Sequence, residues 1–310
     1  MSLGVQDAVL KDAILIVNPL AGGGRRMKHL EEARRVFRDA GIETELQQTT
    51  GPGDATELAR RAVEQSRQLA IVCGGDGTVN EAVNGLAGSQ LPMAILPAGT
   101  ANVLAKELSL PWNLPRAAER IVQAQLRRIA LGLAIPEKSS GPPRYFISLA
   151  GAGPDGAIVS AVRPEIKLQA GIIAYWQEGF RQLTSYKFPR FQVSTDSDSE
   201  IATLVVVGRT KNYGGPFKIT TGADLLGPDF ELVLVTTQSA WRYLSYMPLL
   251  WAGKLRRAKY VKYCRATSLH CVATDSSPVL VQVDGEPAGN LPVEFRIVPD
   301  ALTLAMPAVL

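Results

Sequence analysis

The sequence predicts a parallel α/β domain followed by an antiparallel β-sandwich domain. In the first part of the chain, short apolar strands alternate with amphipathic helices. Glycine-rich loops follow three of these strands, and each loop precedes a helix, which is typical of the ligand-binding edge of an open parallel sheet. After about residue 127 the pattern changes to many short strands separated by turn residues, which favours a sandwich.

The elements of the first domain are predicted from hydrophobic periodicity and from helix start and stop signals. Strands are predicted at residues 13–17, 42–46, 69–73 and 93–96, and helices at residues 26–40, 54–65, 78–87 and 102–108. Strict alternation implies a Rossmann-like parallel sheet with helices on both faces. This domain is expected to span residues 1–128, and the C-terminal tail, about residues 302–310, is a candidate to pack back on it.

The second domain, residues 129–310, is predicted to be mainly strands. Strands are expected at residues 128–135, 145–149, 191–195, 203–207, 231–236, 260–264, 279–283 and 293–298. Two helices are expected at residues 166–183 and 241–253, and residues 195–199 are expected to form a hairpin tip. No internal repeat is evident.

Composition narrows the class of protein. The chain has 310 residues, 46% of them hydrophobic and 20% charged, and a formal net charge of +4, which suits an anionic nucleotide or membrane. No apolar run reaches the length of a membrane span, and the first residues lack the features of a signal peptide. A location in the cytosol, or at the membrane face that borders it, is therefore expected. Three widely spaced cysteines indicate reduced thiols, and two histidines give no zinc-site spacing.

The strongest motif is the loop that follows the predicted strand at residues 69–73. It runs Gly74, Gly75, Asp76, Gly77, Thr78, Val79, Asn80, Glu81 and opens a helix. Its three glycines allow a sharp turn and close approach of a ligand, and successive backbone N–H groups at a helix start bind anions. The alternative is a tight strand-to-helix turn. The combination of Asp-Gly-Thr with Asn-Glu favours phosphate binding.

Asp76 is the candidate metal ligand of this loop. A carboxylate among phosphate-binding groups repels phosphate unless a divalent cation lies between them, so Asp76 indicates Mg²⁺. The alternative is that Asp76 only caps a helix.

Two further loops follow strands of the same sheet. The first, from Asn18 to Gly24, contains three glycines, with Arg25 and Arg26 at its end. Met27 occupies the third glycine position of G-x-G-x-x-G, so this is not the dinucleotide fingerprint, and no P-loop motif occurs anywhere. The other loop runs from Pro97 to Asn102, where Gly99 and Thr100 could reach a nucleotide. Taken alone, each of these loops could be an ordinary turn.

Together the three loops resemble the diacylglycerol kinase catalytic domain family, which includes bacterial lipid kinases and sphingosine kinases. The family motifs N-P-x-[SA]-G, G-G-D-G-T-x-N-E and G-T-x-N occur here in order, and later segments resemble the family too. These segments are Gly151 to Asp155, Asn212 to Gly215, and Asp284-Gly285-Glu286. The G-G-D-G motif is shared with NAD kinases and phosphofructokinases, whereas the first loop and the late D-G-E narrow the match to lipid kinases.

The resemblance implies an ATP- and Mg²⁺-dependent lipid kinase of phospholipid metabolism, with the γ-phosphate passing to a hydroxyl of diacylglycerol or a related lipid. It assigns Glu286 as the acceptor of the hydroxyl proton and Asp155 to the substrate head. Asp76, the candidate metal ligand, is the second choice for that base on chemical grounds. The implied nucleotide contacts are Asn18, Pro19, Leu20, Ala21, Gly22, Thr49, Gly74, Gly75, Gly77, Thr78, Val79, Asn80, Glu81 and Thr100.

The chain departs from the family pattern at two points. The residue after G-T-x-N is often Asp but here is Val103. A D-G turn that can hold a structural Mg²⁺ is replaced by Gly227-Pro228, with Asp229 two positions late, so the resemblance does not carry that metal site over. An NAD kinase-like enzyme and a nucleotide-binding sensor without turnover remain alternatives. Taken without the resemblance, Asp284-Gly285 is typical of a hairpin turn.

A lipid kinase must also reach a bilayer. Trp241, Trp251 and the basic cluster from Lys254 to Arg257 resemble an interfacial anchor, although a helix packed on the sandwich with a solvated basic end is the favoured explanation of these residues. The expected partners are therefore a lipid substrate and a transient membrane surface, with no nucleic acid. The acceptor lipid and the oligomeric state, for which a homodimer is one candidate, do not follow from the sequence.

Overall fold

The structure is a computed structural model that describes residues 10–24, 26–137, 141–161, 186–214 and 217–307. The chain divides into two compact units, Met1–Ile129 with Asp300–Leu310, and Ala130–Pro299. Among the described residues, no helix is both long enough and apolar enough to cross a bilayer.

The first unit contains a parallel sheet with strand order β2-β1-β3-β4. Its strands are β1 (Asp12–Val17), β2 (Glu43–Gln48), β3 (Leu69–Gly74) and β4 (Pro92–Pro97). Its helices are α1 (Leu30–Asp39), α2 (Asp54–Glu64), α3 (Asp76–Leu86), α4 (Val103–Glu107) and α5 (Leu114–Val122). Every residue of β3 is buried, as expected of a central strand covered on both faces.

Helix α5 is absent from the elements predicted above, although its start signal is local. The Asn113 side chain accepts a hydrogen bond of 3.0 Å from the Arg116 amide, and Pro115 lies in the first turn. An Asn cap followed by an early proline is a standard helix start. The helix buries Leu114 and Ile121, so this amphipathic segment belongs to the core of the first unit.

The second unit is built mainly of antiparallel strands. They are β5 (Gln125–Pro136, which begins in the first unit), β6 (Arg144–Phe146), β7 (Leu149–Ala152), β8 (Phe191–Thr195), β9 (Ser199–Ala202), β10 (Leu204–Gly208), β11 (Asn212–Gly214), β12 (Phe217–Lys218), β13 (Phe230–Val235), β14 (Val261–Ala266), β15 (Ser268–Ala273), β16 (Leu280–Val283) and β17 (Glu286–Asn290). Two helices are described, α6 (Pro154–Ala161) and α7 (Ala240–Trp251).

The last strand, β18 (Val293–Met306), contributes to both units. Its early residues pair antiparallel with β15, from Val293↔Cys271 to Arg296↔Ser268. Its late residues Thr303 and Leu304 pair parallel with β4, so the final stretch of chain adds a strand to the first unit.

Two layers enclose the core of the second unit. One is a six-stranded antiparallel sheet with order β14-β13-β10-β7-β16-β17, and the other includes β18, β15, β8 and β9. Phe146 lies between them, stacked on Phe230 at 5.6 Å and edge-on to Phe295 at 6.2 Å between ring centroids. Gly132 makes room for this ring, since an added Cβ would lie 2.2 Å from it. The predicted fold class, a parallel α/β domain followed by an antiparallel sandwich, is confirmed.

Several predicted elements differ in detail. The helix predicted at residues 26–40 starts with a 3₁₀ turn at Met27–His29 before α1 begins. The strand predicted at residues 145–149 is two strands, β6 and β7, and the segment that follows forms α6. Strands β9, β11, β12, β15 and β17 are absent from the predicted elements, and short strands such as β12 and β17 carry little apolar pattern. The hairpin tip at residues 195–199 is confirmed by the pairing of β8 with β9, and the predicted helix at residues 166–183 lies outside the described residues.

Candidate active site

The loop after β3 turns directly from strand into helix. Gly75 is extended, and α3 begins at Asp76, two residues before the predicted start. Gly74 must lack a side chain, because an added Cβ would lie 2.6 Å from the Thr78 Cβ. The first turn of a helix leaves N–H groups without intrahelical partners. Because the Val79 amide bonds the Gly75 carbonyl oxygen at 3.0 Å, the amides of Gly77 and Thr78 are the ones this turn offers to an anion.

The Asp76 carboxylate joins this loop to the loop after β4. It accepts hydrogen bonds from the backbone amides of Asn102, at 2.9 Å, and Val103, at 2.6 Å. Asn102 is left-handed, with φ of 47°, and its side-chain amide donates to the Gly99 carbonyl oxygen at 2.8 Å. Asp76 therefore caps α4 from another loop, and any role in metal binding would be additional.

The two loops also touch through their glycines. The Gly74 carbonyl oxygen accepts hydrogen bonds from the amides of Ala98 and Gly99, at 3.0 and 3.1 Å. A Cβ on Gly99 would lie 2.4 Å from the Gly75 Cα. The backbones are thus in direct contact, which no residue other than glycine permits.

The loop after β1 is tied to the same place through Asn18. Its side-chain amide donates to the Thr78 hydroxyl at 3.1 Å, and its side-chain oxygen accepts from the Leu20 amide at 3.0 Å. Gly22, Gly23 and Gly24 all have left-handed φ values, from 58° to 71°. A Cβ on Gly22 would lie 2.4 Å from the Ala98 carbonyl oxygen, so this loop packs on the loop after β4.

The remaining predicted nucleotide contacts fall into two groups. Pro19, Ala21, Thr49 and Thr100 lie in loops at the carboxyl ends of β1, β2 and β4, and Thr49 donates its amide to Val17 at 2.9 Å. Asn80 and Glu81 lie further along α3 and have packing roles. The Glu81 carboxylate accepts from the Ala55 amide at 3.2 Å and so caps α2, while Asn80 is 1% exposed and accepts from the Asn84 side chain.

Two cations and a tryptophan beside these loops were not identified as a group from the sequence. Arg26 donates to the Gly99 carbonyl oxygen at 2.5 Å, and its guanidinium lies 4.6 Å from the Trp112 ring centroid. The Lys106 ammonium lies 5.5 Å from the same centroid. Burial lowers the pKa of Lys106, and the nearby Asp76 carboxylate opposes this shift. Arg25, predicted at the same loop, lies outside the described residues.

In the second unit, Asp155 is the centre of a buried polar network. It is 4% exposed, and burial raises its pKa to about 6, partly offset by a hydrogen bond of 2.8 Å from the Gln282 side chain. The Tyr213 hydroxyl donates to the other carboxylate oxygen. A Cβ on Gly151 would lie 2.3 Å from the carboxylate, which explains the glycine at that position. The network brings together three segments that the sequence analysis singled out separately.

The third of these segments forms a tight hairpin between β16 and β17. Asp284 and Gly285 both have positive φ, 47° and 80°, as a type I′ turn requires. The Asp284 carboxylate accepts hydrogen bonds of 2.9 Å from the amides of residues 147, 148 and 149. The Gly285 amide donates to the Gln282 side-chain oxygen at 2.8 Å, and Glu286 follows as the first residue of β17. The predicted hairpin turn is thus confirmed, and Asp284 is a structural clamp.

The segment before β13, where the sequence departs from the family pattern, is organised around a buried arginine. Arg209 is 0% exposed and donates to four carbonyl oxygens, those of Ala130, Leu225, Gly227 and Asp229, at 2.7 to 3.3 Å. The Asp229 carboxylate is held by Arg265 at 2.5 and 2.7 Å. No sequence signal marked Arg209, because a lone arginine directly after a strand normally lies at the surface.

The fit of these residues to Mg²⁺ and ATP can be judged from the structure. Among the described residues, no three His, Cys, Asp or Glu side chains cluster as a metal site. Mg²⁺ in phosphotransferases usually keeps several waters and binds one or two carboxylates plus the phosphates, so Asp76 alone is compatible with it. The glycines at positions 22, 74, 75 and 99, together with Arg26 and Lys106, form a compact, cationic backbone surface that fits a triphosphate.

Known protein families match both parts of the chain. The diacylglycerol kinase catalytic domain family matches residues 12–134, and the YegS C-terminal NAD kinase beta sandwich-like domain matches residues 148–306. A diacylglycerol kinase of Bacillus subtilis (strain 168) is 30% identical over 292 residues, covering 92% of this chain and 93% of that protein. One from Mycobacterium tuberculosis is 28% identical over 296 residues, covering 94% of each.

Solved structures show the same fold. The crystal structure of a diacylglycerol kinase from Bacillus anthracis str. Sterne superposes with a TM-score of 0.76 at 22% identity, covering 97% of this chain and 98% of that one.

Proposed function

Because this chain belongs to the diacylglycerol kinase family, we propose that it is an ATP- and Mg²⁺-dependent lipid kinase that phosphorylates a hydroxyl of diacylglycerol or a related lipid. One observation supports the part of this proposal that concerns ATP binding. The loops after β1, β3 and β4 are joined by the Asn18–Thr78 and Asp76–Val103 hydrogen bonds into a single backbone surface. Such a surface at the carboxyl edge of a parallel sheet is where phosphate binds.

In this proposal the nucleotide is held by the predicted residues of the three loops. The amides of Gly77 and Thr78 would donate to phosphate oxygens, and Arg26 and Lys106 would add positive charge. Asp76 would hold Mg²⁺, which neutralises phosphate charge when bound. Phosphoryl transfer depends mainly on such positioning and charge neutralisation, so these residues account for most of the required chemistry.

The acceptor hydroxyl must lose its proton as the new bond forms. Its oxygen bonds to the γ-phosphorus, the bond from that phosphorus to the β,γ-bridging oxygen breaks, and ADP leaves. We assign the proton to Glu286, which begins β17 directly after the Asp284-Gly285 turn. Three backbone amides donate hydrogen bonds to the Asp284 carboxylate and hold the turn in place. Glu286 therefore follows a rigid segment of the chain.

Asp155 is proposed to lie at the substrate head. It is a buried carboxyl with a pKa near neutral, and such groups are concentrated at functional sites. Its bonds to Tyr213 and Gln282 fix its orientation, and Gln282 in turn binds the Gly285 amide beside Glu286.

A second candidate function follows from the domain match. The sandwich resembles that of NAD kinases, so one competing proposal is a kinase that phosphorylates a soluble acceptor. A second is a nucleotide-binding sensor without turnover. The test is incubation with ATP labelled in its γ-phosphate, Mg²⁺ and either diacylglycerol vesicles or NAD, followed by solvent extraction. Label in the organic phase supports the lipid kinase. Label confined to the aqueous products with NAD supports the rival enzyme, and ATP binding with no labelled product supports the sensor.

A further inference from the structure

Helix α7 has one face anchored in the sandwich. Tyr243 and Tyr246 are 7% and 6% exposed. The Tyr243 ring stacks on Phe188 with 4.4 Å between centroids, and its hydroxyl bonds the Thr203 hydroxyl at 2.8 Å. The Tyr246 hydroxyl donates to the Lys259 carbonyl oxygen at 2.7 Å, which fixes the segment after the helix. The orientation of α7 in its unit is therefore firmly set.

The opposite face of α7 exposes two tryptophans. Trp241 is 81% exposed and Trp251 is 73% exposed. They are ten positions apart, so an α-helix separates them by about 15 Å along its axis and by about 80° around it. Pro248 lies on the same exposed face. Large exposed aromatic side chains on one helix face are unusual in a protein that meets only water, and they mark an interaction surface.

The chain segment that carries this face has charge of one sign. Residues 238–261 include the basic residues Arg242, Lys254, Arg256, Arg257 and Lys259 and no acidic residue. Arg256 is already paired with Glu231, which is 3% exposed. Lys254, Arg257 and Lys259 are all exposed, and the Arg242 guanidinium and Lys259 ammonium lie 4.5 and 5.2 Å from the Tyr260 ring centroid. Each tryptophan therefore has an exposed cation close to it in the chain, since Arg242 follows Trp241 and Lys254 lies three positions after Trp251.

We propose that this aromatic-basic surface, formed by Trp241, Arg242, Trp251, Lys254, Arg257 and Lys259, docks on an anionic lipid bilayer. Tryptophan rings are favoured at the boundary between head groups and acyl chains, and Lys and Arg are attracted to anionic head groups. The surface would bring the second unit to the bilayer that holds its substrate, and in this respect the inference rests on the proposed lipid kinase function.

The charge of this surface also favours one kind of binding partner over others. A second copy of the chain would place like charges opposite one another, which disfavours self-association through the same surface. Nucleic acid would satisfy the basic residues through phosphate contacts, yet it would leave the two tryptophans on one face unexplained unless unpaired bases stacked on them. A bilayer accounts for both the exposed rings and the charge.

The test is co-sedimentation with phosphatidylcholine vesicles that either contain or lack phosphatidylglycerol. The wild-type protein is expected to bind the anionic vesicles, and added salt should weaken the binding. The triple variant Lys254→Gln/Arg257→Gln/Lys259→Gln should bind about a hundredfold more weakly, since each basic residue near an anionic surface contributes about fivefold. The double variant Trp241→Ser/Trp251→Ser should lose about tenfold or more for each ring removed from the membrane.

Two control variants test whether the loss of vesicle binding is specific to this surface. Arg35→Gln/Arg38→Gln removes exposed positive charge from α1, and Ile201→Ser removes an exposed apolar side chain from β9. Neither should change vesicle binding beyond about twofold. The proposal fails if the surface variants bind vesicles as the wild type does, or if the controls lose as much. It also fails if the wild type binds single-stranded nucleic acid more tightly than vesicles, or self-associates through this face in sedimentation runs without lipid.

Activity separates this inference from the proposed function. If vesicles bind through this surface while no lipid is phosphorylated, the docking proposal stands and the kinase proposal fails. If lipid is phosphorylated but the surface variants bind and turn over vesicle substrate normally, only the docking proposal fails. The expected pattern is that the variants lose turnover on vesicles and keep it on diacylglycerol dispersed in detergent micelles.

Discussion

The Asp76 carboxylate accepts a hydrogen bond of 2.6 Å from the backbone amide of Val103. The family often places an aspartate where this chain has Val103, so a second carboxylate is absent there, but the backbone still holds Asp76 in place. Asp76 therefore has a structural role, the capping of α4, in addition to the proposed role at the metal. Any test of its chemistry must separate these two contributions.

We predict that Asp76→Asn lowers the turnover of lipid phosphorylation by about a hundredfold or more, because the charge that would balance Mg²⁺ is lost. The amide also keeps only one acceptor oxygen, so some stability is lost too. Steady-state kinetics at varied Mg²⁺ measures the first effect, and chemical denaturation measures the second.

Asp54→Asn is the matched control for this variant. Asp54 also caps a loop of the first unit, accepting hydrogen bonds from the Thr50 amide and hydroxyl at 2.7 Å and the Gly51 amide at 3.0 Å. It should lose stability and keep its turnover and Mg²⁺ dependence. Equal losses of turnover in both variants would reduce Asp76 to a structural residue.

Contact between the two glycine loops gives a second prediction. Gly99→Ala places a Cβ 2.4 Å from the Gly75 Cα, so the loops must separate at a cost of about 1–3 kcal/mol. Both the free energy of unfolding and the affinity for ATP with Mg²⁺ should fall, as measured by denaturation and calorimetric titration. Gly51→Ala, where an added Cβ meets no atom within 4 Å, should change neither by much.

Glu286→Gln is predicted to lower turnover by about a hundredfold to ten-thousandfold, because a positioned base contributes that much to proton transfer. Nucleotide affinity should be unchanged, since Glu286 is assigned only to the acceptor hydroxyl. Single-turnover kinetics and ATP titration provide the two measurements. Glu294→Gln, on β18 in the same unit, serves as the control, and wild-type turnover in Glu286→Gln would remove the assignment.

The buried Asp155 predicts a pH dependence of stability. Burial raises its pKa from 3.8 to about 6, so the folded protein holds this proton more tightly than the unfolded chain does. The contribution of Asp155 to the free energy of unfolding is therefore greatest at low pH. It falls as the pH rises through the window from about 4 to about 6. The loss is roughly 3 kcal/mol, since one pKa unit corresponds to about 1.4 kcal/mol.

Denaturation at several pH values measures this dependence as the difference between the wild type and Asp155→Asn, which should lack the fall. Asp275→Asn is a useful comparison. Hydrogen bonds from Ser277 lower the pKa of Asp275, so this exposed carboxylate stabilises the fold above about pH 4 and loses that effect on acidification. A wild type and an Asp155→Asn variant with parallel pH profiles would contradict the prediction.

Arg209 predicts a large loss of stability on substitution. Arg209→Met removes the donor to four carbonyl oxygens, and each buried acceptor left without a partner costs about 1–3 kcal/mol, so the total loss is expected to be several kcal/mol. Arg265→Met breaks the ion pair with Asp229, in which Arg265 is the more exposed of the two side chains. This variant should lower the free energy of unfolding by at most about 1 kcal/mol. Denaturation curves that show equal costs for the two variants would contradict the structural role given to Arg209.

The sequence predicts the local parts of this molecule well. The glycine loops, the Asp284-Gly285 hairpin and the alternation of the first domain follow from turn chemistry and periodicity, which act over a few residues. Helix α5, which the predicted elements lack, also begins with a local signal at Asn113 and Pro115.

The long-range polar contacts could not be predicted in the same way. Asp76 meets Val103 across 27 positions, and Gln282 meets Asp155 across 127. Neither pair has a pattern within a single element, because each depends on how separate strands align in a sheet. Arg209 is the extreme case, since its burial is stabilised by carbonyl oxygens that lie up to 79 positions away.

The most direct test of the proposed activity follows phosphate from labelled ATP into purified diacylglycerol in the presence of Mg²⁺. Wild-type protein should place label in the organic phase, and Asp76→Asn and Glu286→Gln should both reduce it at least about a hundredfold while Asp54→Asn does not. Absence of labelled lipid with the wild-type protein, across diacylglycerol and an extract of related lipid alcohols, would contradict the assignment of this chain as a lipid kinase.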